Sequence, residues 1–591
     1  MPSSRCGRFA VRTAQVAILT LAAWSSARAQ ASAPHPESVS PESSFAFVGA
    51  HVLAMDQEAV LLDQTVVVHG DRIVEIGPAQ DVVPPASATI VEAHGRYLLP
   101  GLWDSHMHLT QEVGAREDFG DAPLYLAFGV TSVMNLMGDS TILDLKRRIA
   151  AGEILAPNLY TSGRQLNEPT INTASEAVEE VRRQRKAGYD LIKFHEVYES
   201  GKGYVTTTGV DDPTLAALND EARRLDMPLL GHVPDRQGLP GVLRSRMSMA
   251  HASQLLGAHF WPKETEVFRR HVWLSIAGMG ILALSLLLFG ADRVVSIIRR
   301  LDPEAAMLAA LGAVTMLALP LAARPYVQGF AWLGAEGPIW ALTVAGLVVV
   351  GIALALLRDG FVSIRARRPR MRILQAAIGA IGALILTISI VSYWLPVLHR
   401  STPAGLGAVA RAIKASGISV VSSLSVEDTL VTQSIPELRF LEARTTSSWE
   451  RWKNGWTPER IEMVRKGTPF FESVVGALHR EGVPILLGTD AMGFPLVVPG
   501  VSVHREMRQL LESGMSPYQV LRSATFEPAV FLGIETEVGT VDVGKRADLL
   551  LVDGNPLQSL DVLRSPAGVM LRGRWLKREE LMERLELLST E

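Results

Sequence analysis

Leu99-Pro100-Gly101-Leu102-Trp103-Asp104-Ser105-His106-Met107-His108 is a short apolar run that closes on two histidines separated by one residue. Side chains on a strand alternate between faces with a period of two, so His106 and His108 share a face. Such a pair is as compatible with two hydrogen-bonded core histidines as with a metal site, and the residues around it must decide. Counting this one, at 98–107, short strand-like runs recur at 129–137, 157–163, 189–194, 227–233, 246–252, 418–424 and 483–490. Helix-period segments lie between most of them, such as 173–186, 212–225, 403–415 and 472–481. Strands alternating with helices predict a parallel sheet, and eight such units at this length predict an α/β fold with a (β/α)8 barrel.

The chemistry of such a barrel sits at the C-terminal ends of its strands. There the chain places His106 and His108 on the first strand, Lys193 on the fourth, His232 on the fifth, His251 on the sixth and Asp490 on the eighth. Each has an ordinary reading alone: a lysine in a salt bridge, a satisfied histidine, an aspartate capping the next helix. Six polar groups at corresponding ends of five strands point instead to one metal site. His195 shares the strand-face parity of Lys193 and is a candidate substrate contact, with a supporting role as its alternative. Trp449, Trp452 and Trp456 either line a lid or anchor a loop.

The flanks read differently. Residues 45–98 and 538–576 alternate apolar and polar positions around turn signals such as His69-Gly70-Asp71 and Asp553-Gly554-Asn555-Pro556, a β-hairpin pattern. They predict a small β-sandwich domain built from both chain ends, 44–98 and 535–580, beside a barrel formed by 99–262 and 401–534.

These motifs resemble the amidohydrolase superfamily, in particular the branch near imidazolonepropionases and prolidase-like metallocarboxypeptidases. The resemblance rests on residues 99–108, the strand ends named above, His504-Arg505-Glu506-Met507, Ser523-Ala524-Thr525-Phe526-Glu527-Pro528-Ala529 and the run 538–549. It implies two divalent metal ions, one held by His106, His108 and Asp490 and the other by His232 and His251, with Lys193 carboxylated as the bridging ligand. Nitrogen and oxygen ligands suit zinc, with manganese or cobalt as alternatives. It further implies attack on an amide or peptide bond, of a dipeptide or N-acyl amino acid, by a hydroxide held between the ions, with Asp490 as the proton-transferring group. His504 resembles a family position after strand eight, as a substrate contact or as a structural residue at a helix start. The same centre would serve a lactonase, a phosphotriesterase-like enzyme or a cyclic-amide hydrolase. A receptor or transport component with a dead hydrolase domain is the reading from another class, and the complete ligand set argues against it.

Composition narrows the field. The 591 residues carry 57 Lys+Arg against 61 Asp+Glu, a net charge of -4, which supplies no basic field for nucleic acid. The single cysteine, Cys6, leaves no thiolate site. Yet 48% of residues are hydrophobic, and the excess is concentrated. Residues 272–290, 305–323, 338–357 and 373–398 contain no Asp, Glu, Lys or Arg and are long enough to cross a hydrocarbon core of roughly 30 Å. They predict four transmembrane helices in an insert, 263–400, after barrel strand six. Nine basic residues in the loops after the first and third spans, against five on the other side, predict a multi-pass protein of the cytoplasmic membrane, its bilayer contact in the insert and its catalytic domain on the periplasmic or extracytoplasmic side. Residues 1–29, with an apolar run before Ala27-Arg28-Ala29, predict a signal peptide, and 30–43 a flexible leader.

Overall fold

The computed structural model describes residues 43–109, 119–195, 209–234, 236–260, 370–429 and 434–589, with the strands at 197–200 and 203–206 and short pieces within 270–284 and at 431–432. The expected signal peptide and leader lie outside the described residues, apart from Ser43.

Five strands open the chain: β1 (Ser44–Val52), β2 (Leu61–His69), β3 (Arg72–Pro78), β4 (Thr89–Glu92) and β5 (Tyr97–Pro100). Gly70, at φ 57°, makes the β2–β3 turn, a conformation that glycine adopts without penalty. The chain end returns as β16 (Leu549–Val552), β17 (Gly568–Leu571) and β18 (Arg574–Lys577). All eight form one sheet in the order β18-β17-β16-β5-β1-β2-β3, with β4 beside β1. The expected sandwich is thus one continuously bonded sheet, and β5 pairing with β16 joins the two chain ends. Phe47, Val66, Val68 and Leu551 cover one face of it, while Ala46 and Val67 belong to a separate cluster, as strand alternation requires.

The opening run divides at Gly101. Residues up to Pro100 belong to that sheet, and β6 (Leu102–Met107) starts another. A Cβ on Gly101 would lie 2.0 Å from Thr131 Oγ1, so only glycine passes between the two sheets. β6, β7 (Val130–Asn135) and β8 (Asn158–Thr161) are parallel neighbours. So are β9 (Ile192–Phe194), β12 (Leu229–Gly231), β13 (Ser248–Met249), β14 (Val420–Val421) and β15 (Ile485–Leu486). Parallel bridges Ser162–Leu191 and Met107–Ala491 connect the two groups at both edges, which makes a closed ring of eight parallel strands. Helices follow several strands, among them Ser140–Ala150, Ala174–Ala187, Asp212–Arg224 and Pro403–Ser416. Between β9 and the helix at 212 the chain inserts an antiparallel pair, β10 (Val197–Ser200) and β11 (Gly203–Thr206), which the strand and helix patterns did not anticipate.

The membrane expectation is corrected. Among the described residues no helix is long and apolar enough to cross a membrane. That finding overturns the four-span insert and the placement in the cytoplasmic membrane that depended on it. The expected spans 305–323 and 338–357 lie outside the described residues, and 272–290 is described only in pieces. Residues 373–398 fall within the helix Arg370–Arg400, whose described side chains are continuous over 377–389. Part of its surface is already used: Leu386 and Ser389 are buried, and Ser389 Oγ meets Ser275 Oγ at 3.0 Å. Arg400 donates to the His259 carbonyl at 2.8 Å, which ties the helix end to the segment that follows β13.

Candidate metal centre

Asp104 organises the rim from below. It is fully buried on β6, and its carboxylate accepts from Thr489 N at 2.9 Å, Thr489 Oγ1 at 2.6 Å and His106 N at 3.2 Å. Burial pushes its pKa up to about 7 against the pull of these hydrogen bonds. The effect is to fasten the end of β6 to the segment leaving β15. Asp490 then sits in the left-handed region at φ 63°, where aspartate is among the few tolerated residues. Its N–H donates to the His106 carbonyl at 2.7 Å.

His106 Nδ1 lies 3.2 Å from the Ala250 carbonyl. A carbonyl only accepts, so Nδ1 carries the proton, and burial holds the imidazole well below its usual pKa and therefore neutral. Nε2 is left with a lone pair, and it faces Asp490 Oδ1 at 3.4 Å. Two acceptors at that separation repel each other unless positive charge lies between them. His108 Nε2 is 3.0 Å from the same oxygen. Ligand atoms of His106, His251 and Asp490 all lie within 4.8 Å of one another.

The fourth, fifth and sixth strands complete the cluster. Ring centroids are 4.5 Å apart for His106 and His251, 5.0 Å for His232 and His251, and 3.9 Å for His195 and His232. Burial lowers His251 to about 4 and His232 well below the ordinary value, so both are neutral imidazoles, the form that binds metals. Lys193 is fully buried, and its Nζ has no hydrogen-bond partner among the described residues. Burial pulls its pKa down to about 7. For Asp490 burial raises the pKa, but His108, His251 and Lys193 outweigh it and hold the carboxyl below its usual value. The donor set of neutral imidazoles, a carboxylate with mutually facing lone pairs and an unpartnered lysine nitrogen fits divalent cations.

His106, His108, Lys193, His232, His251, Asp490 and His195 are thus brought together. His504 is elsewhere. On the helix Val501–Glu512, its Nε2 lies 2.9 Å from the carbonyl of Phe128, which precedes β7, away from the C-terminal ends. Of the tryptophans, Trp449 is buried, while Trp452 packs edge-on against Phe494 with centroids 5.4 Å apart. Sequence reasoning missed Asp104 and Thr489 as organisers. Asp104 was visible by parity, two residues before His106, whereas nothing local marks Thr489.

Residues 404–576 match the amidohydrolase family. Imidazolonepropionase of Arthrobacter sp. (strain FB24) is 48% identical over 112 residues, 18% of this chain and 26% of that protein. The chain spans between 16% and 41% of the length of the curated relatives it matches. Among solved structures, bottromycin amidohydrolase superposes with a TM-score of 0.55 at 18% identity, covering 93% of this chain and 90% of that one. A Xaa-Pro dipeptidase with bound methionine in its active site gives 0.51 at 16% identity, covering 90% and 100%. At these identities the structural likeness speaks for the fold alone.

Proposed function

We propose that this chain is a binuclear, metal-dependent amidohydrolase that cleaves an amide or peptide bond of a dipeptide or N-acyl amino acid. The observation that carries the reading is the 3.4 Å approach of two acceptors, His106 Nε2 and Asp490 Oδ1, inside a cluster of buried neutral imidazoles. The family match at 404–576 and the likeness to an imidazolonepropionase support the reaction class. His106, His108 and Asp490 would hold one ion, His232 and His251 a second, and Lys193, carboxylated, would join them. When bound, such ions polarise a carbonyl and lower the pKa of water.

The chain's own residues do the rest. The depressed pKa of Asp490 keeps it an anion, so it accepts the proton of the attacking water and passes it to the leaving nitrogen as the C–N bond breaks and the C–O bond forms. Asp104 and Thr489 hold the Asp490 segment in register with His106 while this occurs. His195, its ring tilted at 51° to that of His232 with centroids 3.9 Å apart, would contact the substrate.

Metal analysis and a panel of dipeptides and N-acyl amino acids test the reading. Two ions per chain and turnover of at least one substrate are expected. Asp490→Asn should lower kcat by 10²-fold or more while retaining much of the metal; substantial residual turnover would remove Asp490 from the proton-transfer role.

A further inference from the structure

The end of the barrel away from the metal centre carries a concavity of its own. The helix Ala122–Ala127, which leads through Phe128 into β7, packs against the C-terminal helix Arg578–Leu588. Two short helical turns, Pro436–Phe440 and Leu560–Arg564, close in beside them. Together they line a cavity of about 320 Å³ that opens to solvent, a size that admits a small organic molecule. None of the expected metal-binding or catalytic residues lines it.

Its floor is apolar and its rim is basic. Phe128, Phe440 and Leu585 are buried beneath it, whereas Arg439, Arg564 and Arg578, remote from one another in sequence, converge on it. Two of the guanidiniums are held over the rings of the floor. Arg439 Cζ lies 4.5 Å from the centroid of Phe440, and Arg564 Cζ 5.5 Å from that of Phe128. Both are also neutralised, Arg439 by donating to Glu586 at 2.9 Å and Arg564 by donating to Glu437. Arg578 differs from them. Its backbone is anchored, N donating to the Ala567 carbonyl at 3.2 Å. Its guanidinium has no carboxylate partner among the described residues, and its hydrogen bond to the Pro566 carbonyl is stretched to 3.5 Å. The neighbouring Glu580 is engaged by Arg574 and Arg584 instead. Three arginines against Glu437 and Glu586 leave one positive charge at the rim of an apolar cavity.

We propose that this cavity binds one small organic monocarboxylate, its carboxylate paired with Arg578 and its hydrocarbon body lying on Phe128, Phe440 and Leu585. A carboxylate matches the planar fork of a guanidinium with two parallel hydrogen bonds, and the floor withdraws the hydrocarbon from water. An amine of the same shape meets a net positive rim, and an alcohol leaves the charge of Arg578 unpaired. The site does not depend on the hydrolase reading, because no residue of the metal centre takes part in it.

Calorimetry on the full metal-loaded chain tests the proposal with hexanoate as the probe and hexylammonium, hexanol and acetate as comparators. Hexanoate should bind at one per chain and roughly tenfold or more tightly than each comparator. Arg578→Gln should weaken hexanoate by about the same factor without lowering the melting temperature, since the side chain it replaces has no ion pair to lose, and Arg578→Lys should recover part of the affinity. Carboxylates also bind metal ions, so the titration is repeated after chelation, where the hexanoate affinity should be unchanged. Failure of hexanoate to bind, equal affinity in wild type and Arg578→Gln, equal binding of hexanol, or binding abolished by chelation would each overturn the proposal. A chain that cleaves no amide yet binds hexanoate through Arg578 would keep this site while the hydrolase reading fails.

Discussion

Gly493 stands where no larger residue fits: a Cβ there would lie 2.2 Å from Asp490 Oδ1 and 2.5 Å from His108 Cδ2. Both neighbours are proposed ligands on short side chains, so neither can move aside without losing its geometry. Residues that orient metal ligands typically change affinity by 10- to 100-fold when altered. Gly493→Ala should accordingly weaken metal retention by at least about tenfold and lower turnover in step, while secondary structure by circular dichroism is unchanged. Wild-type metal content in this variant would mean that Asp490 and His108 are not both ligands. Asp104 acts at the same scale from the other side, because its carboxylate holds Thr489 and His106 simultaneously.

At the scale of elements, the helix Pro458–Arg480 packs against Val501–Glu512 and brings two carboxylates, Glu472 and Glu512, together. Burial, then the Glu512 charge and hydrogen bond, raise Glu472 from 4.5 to about 7, with Asp428 adding to the effect. The protonated form is thus favoured in the fold. As pH rises from about 4.5 to about 7 the unfolded chain loses this proton first, so the stability that the protonated form contributes falls through that window. Glu472→Gln should flatten that part of the melting-temperature profile and raise the melting temperature at pH 8; an unchanged slope would show that the pair is solvent-screened. Elements were also where the sequence was most and least legible. The strand ends carrying His106, Lys193, His232, His251 and Asp490 could be read because apolar runs and polar termini alternate along the chain. Every barrel strand proved shorter than its apolar run: β13, β14 and β15 are bonded over two residues each, and beyond them single backbone bonds continue, such as Ala250 N to the Gly231 carbonyl and Ser422 N to the Leu486 carbonyl. The cavity beside Phe128 could not be read, because Arg439, Arg564 and Arg578 come from separate elements that only the fold brings together. The apolar run 373–398 could be read as helical, but hydropathy alone does not distinguish burial against lipid from burial against protein, as Leu386 and Ser389 illustrate.

At the scale of the whole molecule, the proposed metal centre coincides with the seam that closes the barrel. The first and last barrel strands, β6 and β15, are far apart in sequence and meet through few bonds: Ser105 N to the Leu487 carbonyl at 2.9 Å, Asp490 N to that of His106 at 2.7 Å, and His108 N to that of Ala491 at 3.0 Å. Three of the residues in these bonds, His106, His108 and Asp490, are proposed ligands of one ion. An ion bound there links the two edges of the ring, and a ligand that binds only the folded state stabilises it by about 2.7 kcal/mol at a hundredfold excess over its Kd. Removing metal with a chelator should therefore lower the melting temperature of the whole cooperative transition by several degrees, and added zinc should restore it. The response should be much reduced in His106→Ala, because only His108 then remains at the end of β6 to share the ion with Asp490. It should persist in Arg578→Gln, which leaves every proposed ligand in place. A melting temperature indifferent to chelator in the wild-type chain would separate the seam from the metal and require the facing lone pairs of His106 and Asp490 to be reconciled by a proton instead.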